Sequence, residues 1–303
     1  APTDNGIIGN FSWLGLEGVS LKKGYTDSAT IPNMVFCCFQ MMFAVITPAL
    51  ITGSVAGSMK FKSLFVFIIL WSIVVYYPLA HMVWAQDGLL GLDGIGALDF
   101  AGGDVVHISS GVSALILCIL LGKRKDYDHA AYRVHNIPTV MIGASLLMFG
   151  WFGFNAGSAL SANGQAAHAF MTTAVSAAAA LLSWMLCDVI KNKKPTLIGA
   201  CTGMVAGLVG ITPGAGFVPI WAAVIISLTT SPVCFLMISF DDALDAFSCH
   251  GTGGIWGGLL TGIFAKESIG GYDGAIFGDW AQFGAQAAGI AITIVIAVAG
   301  TLI

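Results

Sequence analysis

Charge is what this chain has least of. Its 303 residues include 12 Lys and Arg and 16 Asp and Glu, 9% of the sequence, where a soluble domain carries about a quarter. So few charged side chains cannot solvate the surface of a soluble enzyme, and they leave no basic face for nucleic acid. Cysteine pairing is missing too. Cys37, Cys38, Cys118, Cys187, Cys201, Cys234 and Cys249 fall mostly inside apolar runs, with no CxxC and no even framework. That pattern excludes a disulfide-stapled secreted scaffold and predicts buried free thiols without a redox role. There is no nucleophile–base–acid set, phosphate loop or metal-spaced cluster, so neither an enzyme nor a bound cofactor is expected. No linker or low-complexity tract divides the chain, and residues 1–303 read as one domain.

Apolar residues make up 57% of the chain, with 39 glycines and a mean hydropathy of +0.87. These values fit an all-α polytopic membrane protein whose helices pack through small residues. Apolar stretches long enough to cross a bilayer are predicted at 31–54, 62–84, 103–122, 136–160, 165–189, 195–212, 217–239, 246–264 and 281–303, nine spans in all. Only the turn Pro213-Gly214-Ala215-Gly216 separates the sixth from the seventh. Alternating the loops puts Lys60, Lys62, Lys123, Arg124, Lys125, Arg133, Lys191, Lys193 and Lys194 on one side, and Lys22, Lys23 and Lys266 on the other. Because cytoplasmic loops retain basic residues, the N-terminal segment is expected outside and the C-terminal end inside. The chain opens at Ala1 without a signal peptide and stops at Thr301-Leu302-Ile303 while still apolar, so flanking segments are expected at both ends.

Two histidines lie well inside spans among small neighbours. They are His107 in Val105-Val106-His107-Ile108-Ser109-Ser110-Gly111, and His250 in Ser248-Cys249-His250-Gly251-Thr252-Gly253-Gly254. Each follows an aspartate by eight residues, Asp99 and Asp242 respectively. The two spans run in opposite senses, as an inverted repeat requires, and such repeats place functional sites near the midplane at their interface. An ionisable group kept inside the bilayer is expensive, which makes a symmetric pair a functional candidate.

Aromatic residues form a line ordered by depth. Phe39 and Phe43 stand four apart on one face of the first span, with Phe39 about 6 Å nearer the outside. On the fourth span Trp151, Phe154 and Ser158 share a face, Ser158 shallowest and Trp151 deepest. Trp84 closes the second span on the outer side, at the level of Phe39 and Ser158, and His81 before it reads as an interfacial packing or capping residue. An outer group of aromatic rings and a hydroxyl can hold a small cation, although aromatics at such spacings also serve packing, and a boundary Trp serves anchoring. Below it come phenylalanines, and then a dry passage whose polar groups are two imidazoles. Neither a permanent metal cation nor a hydrated ion crosses such a passage cheaply. Ammonium can shed its proton where K+ cannot, and a neutral imidazole pair can accept from ammonia or pass a proton along.

At these residues the sequence resembles the ammonium transporter/methylammonium permease/Rhesus family. The likeness runs through Asp99-Phe100-Ala101-Gly102-Gly103 to His107, Gly150-Trp151-Phe152-Gly153-Phe154-Asn155-Ala156-Gly157-Ser158, Gly210-Ile211-Thr212-Pro213, and Asp245-Ala246-Phe247 to His250-Gly251. It implies eleven spans in the full protein and a homotrimer with one pore per subunit. It further implies an ammonium cup of Phe39, Trp84 and Ser158, a gate of Phe43 and Phe154, and a hydrogen-bonded pore pair of His107 and His250 with Trp151 beside it. Asp99 becomes a structural carboxylate below the cup, and Thr212 a vestibule residue reached through an adjoining subunit. The serine and outer tryptophan favour the ammonium-transporter branch, while Asp104 stands where many relatives carry threonine. The resemblance places the protein in the plasma membrane with ammonium, ammonia or methylammonium as ligand. A small cytoplasmic nitrogen-signalling protein is a further potential partner, although physically the loop 122–133 reads as a positive-inside anchor. The competing readings are an ammonium sensor with little flux, and a haem electron carrier ligated by both histidines.

Overall fold

The computed structural model describes residues 5–24, 30–123, 134–238, 242 and 244–303. Arg124, Lys125 and Arg133 of the predicted basic loop lie outside the described residues. Among the described residues the chain is helical throughout, without a β-strand. Each predicted apolar stretch falls on a helix: α1 Asn33–Ser54, α2 Phe61–Trp84, α3 Gly103–Leu121, α4 Ile137–Gly157, α5 Gly164–Asn192, α6 Leu197–Gly214, α7 Ile220–Leu236, α8, and α9 Trp280–Leu302. The helix α8 comprises the π turn Phe247–Thr252 and the α-helix Gly253–Phe264 that continues it. Seven of these are long and apolar enough to cross a membrane; α7 is a shorter apolar helix, and α8 is not among the seven. Length and apolarity alone therefore do not carry a count of nine.

Local chemistry sets the helix ends. The side chains of Asn136, Asn163 and Thr196 accept hydrogen bonds from the backbone N–H groups of Thr139, Ala166 and Gly199, capping α4, α5 and α6. Asp279 caps α9 through Ala281 and Gln282. The interior combines large apolar side chains such as Ile51, Trp71 and Leu79 with small and hydroxyl residues, while other large apolar side chains such as Phe61, Phe149 and Leu146 face outwards. Apolar side chains on the outer surface suit a bilayer. Glycine permits the closest packing: a Cβ on Gly203 would lie 2.3 Å from Trp184 Cβ, and one on Gly257 2.0 Å from the Gly210 carbonyl oxygen.

The expected burial of the thiols needs correction. Among the seven free cysteines only Cys234 and Cys249 are buried; Cys38 is exposed and the other four are intermediate. An apolar run marks the whole circumference of a membrane helix, so it does not tell a core-facing thiol from a lipid-facing one.

The segments carrying the two histidines resemble each other in build. Each opens with a six-residue π turn, Gly103–Ile108 and Phe247–Thr252, and continues as an α-helix. Each turn is held at its start by the aspartate that the sequence spacing singled out. Asp99 accepts from the N–H groups of Gly102 (2.7 Å), Gly103 (2.6 Å), Asp104 (2.8 Å) and Val105 (3.3 Å). Asp242 accepts from Phe247 N–H at 2.6 Å. π turns are rare and concentrate at functional sites.

Candidate functional site

A cavity of about 110 Å³ opens between α1, the C-terminal end of α2 and the C-terminal end of α4. Phe39, Trp84 and Ser158 line it, together with Phe36, Gln40, Phe100 and Leu160. The sequence reading missed these last four. Gln40, a polar side chain within an apolar span, was the one signal available. Trp84 is fixed by its indole N–H, which donates to the Asp99 carbonyl at 3.0 Å, and the Ser158 hydroxyl donates to the Phe154 carbonyl at 2.9 Å. With its hydrogen so engaged, Ser158 Oγ offers lone pairs.

The cavity is closed by rings. Phe43 lies edge-on to Phe39 (centroids 4.8 Å apart) and to Trp84 (5.2 Å), and packs tilted against Phe154 at 4.5 Å. Phe43 is buried, packed between the cavity rings and Phe154. Beyond it His107 stacks on Phe154 at 5.9 Å and 20°, and on Trp151 at 5.4 Å and 18°. The Trp151 N–H donates to Thr212 Oγ1 at 2.9 Å.

His107 Nδ1 and His250 Nδ1 are 3.1 Å apart, a shared hydrogen bond between residues 143 positions apart in sequence. One ring must donate and the other accept. The donating imidazole then presents a bare lone pair at Nε2, and the accepting one presents Nε2–H. His107 is 1% exposed, and its Nε2 is buried without a hydrogen-bond partner among the described residues. An orphaned nitrogen at this depth is costly unless something else pairs with it. The same distance argues against the haem reading, because axial ligation needs a flat cavity between the rings.

One expectation moves. Thr212 is 0% exposed and donates to the Leu208 carbonyl at 2.7 Å while accepting from Trp151, so it holds the indole beside the histidine pair and does not line a vestibule. It was read by its place at a span end, which cannot reveal an inward-facing rotamer. The carboxylate of Asp104 approaches α9, its Oδ2 lying 3.4 Å from where a Cβ of Gly289 would stand. Asp188, unexplained in the sequence, accepts from Thr196 Oγ1 at 2.7 Å and joins the end of α5 to the start of α6.

Fold and site together define a multi-pass helical membrane protein with an aromatic cup above a closed ring stack and a buried imidazole pair. Residues 2–303 match the family model described as the Ammonium Transporter Family, and the chain belongs to that family. It is 49% identical over 301 residues to an ammonium transporter of Bacillus subtilis, covering 96% of this chain and 73% of that protein. The crystal structure of Saccharomyces cerevisiae Mep2 superposes with a TM-score of 0.90 at 38% identity, covering 98% of this chain and 71% of that one. A structure described as a sensor Amt protein superposes with a TM-score of 0.80 at 30% identity, covering 88% and 70%.

Proposed function

We propose that this protein captures ammonium at the outer cup, strips its proton, and conducts ammonia past the phenylalanine gate and the histidine pair into the cytoplasm, with the proton passed along the same imidazole pair. The observation that carries the reading is the 3.1 Å Nδ1–Nδ1 bond with an unpartnered His107 Nε2 beneath the closed rings. Ring faces of Phe39 and Trp84 with the Ser158 oxygen suit a small cation. Phe43 and Phe154, packed at 4.5 Å, exclude a hydrated ion, and thermal displacement of their rings admits a molecule of ammonia's size. Below the gate, the bare Nε2 of one imidazole accepts from ammonia and the Nε2–H of the other donates to its lone pair. K+ has no proton to lose and nothing there to replace its water.

The excess of basic residues in alternate loops supports the cup facing outwards across the plasma membrane. The assembly proposed is the homotrimer that the family resemblance implies, and a cytoplasmic nitrogen-signalling protein is proposed as its regulator on the same ground. Membership of a family of transporters supports a non-enzymatic role. A second reading, an ammonium sensor with little flux, is favoured by the likeness to the sensor Amt protein.

Proteoliposomes holding a pH dye separate the two. An inward ammonium gradient should change luminal pH faster than in protein-free vesicles, and His107→Ala should alter that rate. Calorimetric ammonium binding with luminal kinetics equal to protein-free vesicles would replace transport by sensing.

A further inference from the structure

Both histidines are followed four residues later by a glycine, Gly111 after His107 and Gly254 after His250. Four residues is about one turn, so each glycine lies roughly beneath its own histidine. Both sit within helix at ordinary φ, so the need for glycine here is one of space. A Cβ on Gly111 would fall 2.1 Å from Gly251 N, 2.5 Å from Gly251 Cα and 3.0 Å from the His250 carbonyl carbon. A Cβ on Gly254 would fall 2.9 Å from Ile108 Cγ1, 3.1 Å from His107 Cβ and 3.2 Å from the Gly103 carbonyl oxygen. The contacts are reciprocal: each repeat's glycine receives the turn that carries the other repeat's histidine.

We infer that Gly111 and Gly254 are positioning residues that set the separation of the two imidazoles, and so hold the proton-sharing bond between them. This rests on the pore reading of the pair for its consequence in transport, but not for its geometry. Carbon atoms pack at about 3.5–4 Å, so an added methyl at Gly111 displaces the backbone of the opposite turn by more than an ångström. The Nδ1–Nδ1 distance of 3.1 Å already stands near the upper limit for a hydrogen bond and does not survive such a shift. The rings then lose their complementary tautomers, and the two Nε2 atoms no longer alternate as acceptor and donor.

Gly257 supplies the control. It lies three residues beyond Gly254, and its Cβ would fall 2.0 Å from the Gly210 carbonyl oxygen, a tighter approach directed at α6 and away from His107. The test is the ¹⁵N scalar coupling across the His107–His250 bond in histidine-labelled intact protein, measured beside ammonium-over-potassium selectivity in proteoliposomes. Wild type should show the coupling. Gly111→Ala and Gly254→Ala should lose it and change selectivity, whereas folded Gly257→Ala should keep both. Gly254→Ala meets side-chain atoms first and keeps the test open if Gly111→Ala does not fold. No coupling in wild type, coupling retained in both variants, or equal loss in Gly257→Ala overturns the inference. Loss of coupling with transport unchanged supports the positioning role and counts against the pore reading instead.

Discussion

At the residue scale, the indole of Trp151 shows how the surroundings of the histidine pair are fixed. Its ring stacks on His107, and its N–H has one partner, the buried hydroxyl of Thr212. Thr212→Val keeps the shape but strands that donor, with an expected loss of about 1–3 kcal/mol. The loss should appear as a lower denaturation midpoint in detergent, with Thr212→Ser close to wild type. An equal midpoint for Thr212→Val would mean that water replaces the hydroxyl. The sequence exposed Trp151 as a ring on the aromatic face of its span, but not this bond, because nothing in a local pattern links residues 61 positions apart. Phe39, Phe43, Phe154 and Ser158 were legible because helical spacing orders residues by depth. Phe36, Phe100 and Leu160 were not, since an apolar residue lining a cavity looks like one packing in a core.

At the element scale, the two histidine-bearing helices each open with a π turn, and a third π turn, Ser72–Tyr76, interrupts α2. Apolar periodicity made the spans legible, and paired Asp-x7-His spacings pointed to their inverted relation. The extra residue per turn left no mark in composition. The turn before His250 also carries a pH-sensitive joint. Asp245 lies ahead of the turn with φ of +55°, and burial, reinforced by the Asp242 carboxylate, pushes its carboxyl up to about 6. An unfolded aspartate titrates near 4, so between about pH 4 and 6 the folded state binds more protons than the unfolded one. Its contribution to stability is complete below about pH 4 and is lost as pH rises through about 6. Thermal midpoints at pH 5 and pH 7 should therefore differ more in wild type than in Asp245→Asn, which tolerates the same left-handed backbone. Identical pH slopes would remove Asp245 from the account.

At the scale of the whole molecule, scarcity of charge announced a membrane protein before any motif was read, and the outward-facing apolar side chains agree. What the sequence could not convey was how closely the two histidine-bearing turns approach, because that depends on glycine contacts between distant segments. The most direct test of the account is the current after an ammonium pulse and then a potassium pulse in proteoliposomes, for wild type, His107→Ala and His250→Ala. Ammonium current without potassium current in wild type, with that discrimination altered in folded variants, is the predicted result. Equal potassium current in wild type would contradict selection by deprotonation in a dry, histidine-paired passage.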